Sequence, residues 1–312
     1  MTQLSRLGFI GAGKIVEVIA KGLITSGVTK TNNIQASAPT DTDVEAMSKL
    51  GAMTTLSNTD IIRNNKVVIL AVRPHVVQKV LTEISADITD EHLIVSVAAG
   101  ITLDAMQNIL PPGVKVARVM PNTASQVMEG VSTFCVGKEG SSEDKAIVKK
   151  MFSSLGLCVE IDEKLMDVAA GFSGAGPAYV YTIIQALADG AVRGGIPRAD
   201  ALGMASQTVL GAAKMVIETG KHPIQLRDEV CSPGGVTITG VHALESGRLG
   251  ATLMNAVTDA THRSAEIAGQ LSAASNPNAV LRKVEKVEVF AQTTVDPSMT
   301  ETSTKPPMQS TS

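Results

Sequence analysis

Leu7-Gly8-Phe9-Ile10-Gly11-Ala12-Gly13-Lys14-Ile15-Val16 decides the fold of this chain, because an apolar run ends at Gly-x-Gly and passes directly into helical spacing. Gly11 permits a tight turn. Gly13 lets the backbone approach a pyrophosphate, whose charge is favoured by the free amides and the positive dipole end of the helix that follows. Ile15, Val18, Ile19, Gly22 and Leu23 recur at helical intervals, and Gly27 stands where a helix would stop. Strand, glycine turn and helix form the first half of a βαβ unit, so the turn predicts a dinucleotide site. The third glycine of the fingerprint is absent, Val16 standing in its place. That position governs helix-to-sheet packing, so a slightly displaced helix is expected rather than lost binding.

Outward from this turn, short β-rich apolar runs alternate with helical segments. The candidate strands are Arg6 to Ile10, Asn33 to Ser37, Val67 to Val72, His92 to Val97, Val114 to Met120, Val131 to Val136 and Leu157 to Ile161. Runs such as VVILAV lack two-residue alternation, as expected of parallel strands buried on both faces. The fold class predicted is α/β: an N-terminal Rossmann-type doubly wound sheet over residues 1–162, followed by an all-α domain over 163–271. That second half reads as long Ala/Gly/Met-rich helices, including Pro177 to Val192, Arg198 to Glu218 and Leu249 to Gln270. From Ser272 the chain becomes rich in Ser, Thr and Pro, a composition that cannot offset its ordering entropy, so residues 272–312 are expected to be a disordered tail.

Composition excludes several other classes. The 312 residues carry 27 Lys plus Arg against 30 Asp plus Glu, a net charge of −3 that lacks the basic surplus of a nucleic-acid binder. No apolar run approaches the roughly 20 residues of a membrane-spanning helix. Cys135, Cys158 and Cys231 are odd in number and widely spaced, which argues for a reducing compartment and against a disulfide framework. The five histidines show no metal-ligand spacing, so no metal is expected. The N-terminus runs into a strand with no room for a cleavable signal.

The second strand would end in an acidic residue if NADH were preferred, because a carboxylate accepts from the ribose hydroxyl. Here it reads Gln35-Ala36-Ser37-Ala38-Pro39-Thr40. Small hydroxyl residues leave room for a 2′-phosphate, so NADPH is expected, with NADH also possible because no arginine sits beside the turn. The alternative is a plain helix start, Thr40 and Asp43 forming a cap. Ala71-Val72-Arg73-Pro74 and Ala98-Ala99-Gly100 close two further strands towards the same crevice, although Pro74 also suits a first helical turn and the small residues also suit packing. Met120-Pro121-Asn122-Thr123 closes another strand in the same manner. In the second half, Cys231-Ser232-Pro233-Gly234-Gly235-Val236-Thr237 leads into an apparent helix from Ile238 to Glu245. Its amides and hydroxyls suit a carboxylate, and equally a helix cap built from Ser and Gly.

Together these segments resemble the pyrroline-5-carboxylate reductase family from about Leu7 to Gln270. The most specific element is Pro223-x-x-Leu226-x-x-x-Val230-Cys231-Ser232-x-Gly234-Gly235-x-Thr237-x-x-Gly240-Val241-x-x-Leu244-Glu245, joined by GFIGAG, AVRPH, SVAAG, MPNT and SGAGPAY in the family's order. Arg73 departs from the lysine often found there, keeping the charge and altering the hydrogen-bond geometry. The resemblance implies NAD(P)H-dependent reduction of 1-pyrroline-5-carboxylate to L-proline, the last step of proline biosynthesis. It implies cofactor binding by Ile10, Gly11, Ala12, Gly13, Lys14, Ile15, Ser37, Ala38, Asn58, Ala71, Val72, Arg73, Pro74, Ala98, Ala99, Gly100 and Asn122. The substrate carboxylate falls to Ser232, Gly234, Gly235, Val236 and Thr237, with the Thr237 hydroxyl as the catalytic candidate beside the ring nitrogen. A threonine hydroxyl is a poor acid, so orientation is the contribution expected of it.

The resemblance further implies a homodimer interlocked through its helical domains, assembled into a larger homo-oligomer, with the site near the subunit interface and the chain cytoplasmic or mitochondrial. Two other readings stand beside it. A β-hydroxyacid dehydrogenase would act on an alcohol and use a lysine, which the SGAGPAY helix lacks; a catalytically silent dinucleotide sensor would keep the fold without the chemistry.

Overall fold

Successive strand residues point to opposite faces, and in this sheet each face has its own core. The computed structural model describes residues 6–275. Leu7, Phe9, Val67 and Ile69 face one apolar layer, whereas Ile10, Val68, Leu70 and Ile94 face the other. Both layers must be covered by helices, which is why the apolar runs show no alternation.

The elements run β1 (Leu7–Ile10), α1 (Lys14–Thr25), β2 (Ile34–Ser37), α2 (Asp41–Lys49), β3 (Met53–Thr55), α3 (Asn58–Asn64), β4 (Val67–Leu70), α4 (Pro74–Ile84), β5 (Leu93–Ser96), α5 (Leu103–Gln107), β6 (Lys115–Pro121), β7 (Gly130–Val136), α6 (Ser142–Phe152) and β8 (Gly156–Glu160). Val16, Ile19 and Leu23 of α1 and Val148, Met151 and Phe152 of α6 cover the first layer. Ile61 and Ile62 of α3, Val77, Leu81 and Ile84 of α4 and Met106 of α5 cover the second. The sheet order is β3-β2-β1-β4-β5-β6-β7-β8, with Leu7 in register with both Ile34 and Val67. Chain order reverses about β1, which opens a crevice beyond the carboxyl ends of β1 and β4.

Two details differ from expectation. β3 escapes the sequence pattern because it is three residues long and Met53 is exposed at the sheet edge. β7 runs antiparallel to β6, pairing Ala117 with Val136, since only a short 3₁₀ turn over Thr123–Val127 separates them and no crossover helix can form. Val16 is fully buried in the first layer, and at Gly22 of the same helix a Cβ would collide with Leu155.

Helices alone follow: α7 (Met166–Ala169), a π-turn over Ala170–Gly174, then α8 (Gly176–Arg193), α9 (Arg198–Thr219), α10 (Pro223–Glu229), α11 (Val236–Ser246) and α12 (Leu249–Ser275). Helix α10 has no buried residue, hence no apolar stripe by which to foresee it. Helix α12 continues through Ser275, past the expected start of the tail at Ser272; residues 276–312 lie outside the described residues. Helices α8 to α12 bury little. Ala188, Ala201 and Ala205 form the small core between α8 and α9, while Tyr181, Met204, Met215, Ile217 and Met254 are exposed.

Candidate active site

The two glycines of the first turn are glycine for different reasons. Gly11 has φ of +107°, and a Cβ there would lie 2.5 Å from the Ala71 carbonyl oxygen. The turn is tied on both sides, the Gly11 amide donating to Ser37 O at 2.8 Å and the Ala71 amide to Ile10 O at 2.9 Å. Gly13 has an ordinary φ of −73°, and a Cβ there would meet nothing within 4 Å. It caps α1 without any side-chain hydrogen bond, so the first amides of the helix have no side-chain acceptor. A dinucleotide pyrophosphate fits such a cradle, which protein atoms leave unfilled.

Beside it lies a cleft of about 510 Å³, within the range of small-molecule sites. Lys14, Ile15 and Val18 of α1 form one wall, Val97 and Ala99 beyond β5 another, and Met120 to Thr123, Ser125, Gln126 and Gly174 the remainder. Of the residues expected to hold the cofactor, Lys14, Ile15, Ala99 and Asn122 thus share one cavity. Val97, Met120, Gln126 and Gly174 were not named as site residues from the sequence, although SVAAG, MPNT and SGAGPAY already marked three of their segments. Val18 follows Lys14 by one helical turn on the same face.

Other expected cofactor residues sit at strand ends with their atoms engaged. Ile10 is buried and serves as the end of β1, while Ala12 is half-buried in the turn. Ser37 is fully buried, and its hydroxyl donates to Asn58 Oδ1 at 2.7 Å, so it is not a free donor towards a 2′-phosphate. Ala38 is buried next to it, and Thr40 caps α2, accepting from the Asp43 amide at 3.3 Å. The plain helix-start reading therefore describes this hydroxyl. Ala71 and Val72 are half-buried, exposed Arg73 is the N-cap of α4, and Pro74 is its first residue. Ala98 is buried, and Gly100 packs on α12, where a Cβ would lie 3.1 Å from Leu271; both serve packing, whereas Ala99 is exposed to the cleft.

Asn122 is a staple. Its Oδ1 accepts from the Ala124 and Val131 amides, both at 3.2 Å, and its Nδ2 donates to Ser173 O at 3.0 Å. It holds the end of β6 to the start of β7 and to the π-turn. Nearby, the buried guanidinium of Arg118 lies 3.7 Å from Glu163 Oε1 and 4.0 Å from Asp167 Oδ1. Glu163 also accepts from the Leu103 amide at 2.6 Å, and Asp167 from Ser264 Oγ at 2.7 Å. One buried cation therefore ties the sheet to α5, α7 and α12.

Burial pushes the Cys135 thiol up to about 12, helped by Glu163, and the Cys158 thiol up to about 11. Neither is a thiolate at neutral pH, so neither is a nucleophile. Among the described residues, no three His, Cys, Asp or Glu side chains gather as metal ligands, and no helix is long and apolar enough to cross a membrane.

The second constellation stands apart from this cleft, none of whose walls includes residues 232–237. Val236 and Thr237 belong to the first turn of α11, which begins two residues earlier than the sequence suggested. The N-cap is Gly235, with no side-chain cap, so Ser232 and Thr237 do not cap the helix. Among the described residues, neither hydroxyl has a hydrogen-bond partner. Ser232, Gly234 and Thr237 are exposed, Gly235 is half-buried, and Val236 is 92% exposed. A valine so placed, beside uncommitted hydroxyls and the uncapped start of a helix, is suited to contacts made outside its own chain.

Residues 163–267 match the family described as pyrroline-5-carboxylate reductase dimerisation, and residues 6–100 the family described as coenzyme F420-dependent NADP oxidoreductase. Pyrroline-5-carboxylate reductase 3 of Mus musculus is 43% identical over 267 residues, covering 86% of this chain and 97% of its own. A solved pyrroline-5-carboxylate reductase from Coxiella burnetii superposes with a TM-score of 0.81 at 33% identity, over 85% of this chain and 99% of that one. The pyrroline carboxylate reductase of Plasmodium falciparum, solved with NADP bound, gives 0.77 at 31%, over 86% and 100%. The similarity thus runs over almost the full length of these relatives, and the chain belongs to the pyrroline-5-carboxylate reductase family.

Proposed function

We propose that this chain reduces 1-pyrroline-5-carboxylate to L-proline with NADPH, NADH also serving. Kinship with named reductases over nearly their whole length carries the reading. The reaction adds a hydride to the ring carbon of a cyclic imine and a proton to its nitrogen. When bound, the reduced nicotinamide supplies the hydride. The open cradle at Gly13 and the uncapped amides of Lys14 and Ile15 would hold the pyrophosphate, with Arg73 and the ends of β2 and β4 beside it. Ala99 and Asn122 would line the space for the nicotinamide half.

The loop from Ser232 to Thr237 would grip the substrate carboxylate through amides and hydroxyls. Thr237 would orient the ring nitrogen, and its uncommitted hydroxyl supports that role. Water would deliver the proton.

The chain works as two domains, residues 1–162 for the cofactor and 163–271 for substrate and pairing. Apolar side chains exposed along α8 to α12 form a surface that a second copy would cover, consistent with the dimerisation family matched there. The homodimer would assemble further, with the site completed near the subunit interface. Three free cysteines, two of them buried, are in keeping with a cytoplasmic or mitochondrial setting. The test is oxidation of NADPH by the purified chain with pyrroline-5-carboxylate, monitored at the nicotinamide absorbance with proline identified as product. NADPH oxidation without proline, or none at all, would reject the assignment.

A further inference from the structure

The end of β2 lacks the carboxylate that would recognise a ribose 2′-hydroxyl, yet a carboxylate reaches the same place from another element. Asn58 opens α3 directly beside Ser37. Its Oδ1 accepts from Ser37 Oγ at 2.7 Å, and its Nδ2 donates towards both oxygens of Glu83 on α4, each at 3.2 Å. The amide is therefore oriented from both sides, oxygen to the buried hydroxyl and nitrogen to the carboxylate. Ser37 ends a strand next to the fold's switch point, where the ribose of the adenylate half is held.

Acidic side chains gather around this turn. Asp41 and Asp43 occupy the first turn of α2, and Asp60 lies in the first turn of α3, accepting from Thr55 Oγ1 at 3.3 Å. Of the surrounding cations, Lys49 pairs with Glu45 and Arg63 with Asp87, while Lys79 lies on the same helix as Glu83 and Arg73 caps that helix. Among the described residues, Glu83 makes no ion pair, and its carboxylate lies one amide away from the turn.

We propose that Glu83 is a specificity-determining residue for the ribose 2′ position. It sets the Asn58 amide for a 2′-hydroxyl and, through its charge, handicaps a 2′-phosphate. The chain then accepts NADH as well as NADPH, although no acidic residue ends β2. This inference rests on the dinucleotide reading given above. A carboxylate and a phosphate separated by one amide repel in high dielectric strongly enough to weaken NADPH binding roughly three- to tenfold, and the effect shrinks as salt is added.

The experiment is titration of the full-length chain with NADPH and with NADH, followed by nicotinamide fluorescence at low and high salt. Glu83→Gln removes the charge while its side-chain oxygen can still accept from Asn58. The expected result is a three- to tenfold rise in NADPH affinity relative to NADH at low salt, and a smaller rise at high salt. Glu83→Ala, which removes charge and hydrogen bond together, should move the ratio in the same direction. Thermal midpoints establish that each variant is folded. A ratio within twofold of wild type in both variants, with both cofactors still bound, overturns the role of Glu83 alone. Wild-type protein that binds neither dinucleotide overturns this inference together with the cofactor reading.

Discussion

Substituting alanine separately at Gly11 and Gly13 separates a structural glycine from a ligand-facing one. At Gly11 the added Cβ would sit 2.5 Å from the Ala71 carbonyl oxygen and 2.9 Å from its carbon, in a residue at φ +107°. The positive φ costs about 1–2 kcal/mol for an L side chain, and displacing backbone that is paired to β1 adds about 1–3 kcal/mol. Gly11→Ala should therefore lose about 2–5 kcal/mol of stability. At Gly13, φ is −73° and a Cβ meets nothing within 4 Å, so Gly13→Ala should cost no more than about 1 kcal/mol of stability, alanine being the poorer N-cap but the less flexible residue in the unfolded chain. The methyl group would instead occupy the space in which a pyrophosphate lies. A misfit worth about 1.4–2.8 kcal/mol weakens binding roughly ten- to a hundredfold. Denaturant melts of both variants, with NADPH titrations of whichever stay folded, resolve the two effects. Unaltered NADPH affinity in folded Gly13→Ala would refute the cradle, and a wild-type melt for Gly11→Ala would refute the steric argument.

Thr237→Val keeps shape and removes the uncommitted hydroxyl. It should slow single-turnover hydride transfer roughly 10- to 100-fold while sparing NADPH affinity and thermal midpoint, because Thr237 caps nothing; normal single-turnover rates would reject its role. Arg118→Met leaves Glu163 and Asp167 without their cation, but both are about a third exposed. The loss should be about 2–3 kcal/mol, below that of a fully buried pair, and a denaturant midpoint equal to wild type would show the cluster to be idle. Cys135 and Cys158, held as thiols by burial with values of about 12 and 11, should resist alkylation at pH 8 until denaturant is added. Mass-resolved labelling of either one in the native protein would contradict their burial.

Signals carried within a few residues of chain were legible before any coordinates. The apolar run into Gly11 and Gly13, the helical spacing of Ile15 to Leu23, the strand VVIL and the first residues of α9 and α12 depend on neighbours in sequence, and all recur in the structure. The motif around Ser232 to Thr237 was equally visible, because its residue types are strung along one loop. Tertiary structure alone decided matters that depend on partners distant in the chain. Ser37 reads as a free hydroxyl until Asn58, 21 positions away, accepts its hydrogen bond. Gly100 reads as a ligand surface until Leu271 packs on it. Likewise, Arg118 is one basic residue in a strand until Glu163 and Asp167 converge on it. The cleft itself gathers side chains from α1, the ends of β5 and β6 and the π-turn. Periodicity and turn chemistry are short-range properties of the backbone, whereas hydrogen-bond commitment and burial are set by whatever the fold brings alongside, so the sequence determined most of the elements, short β3 and unburied α10 excepted, and only their assembly decided which atoms were left to bind.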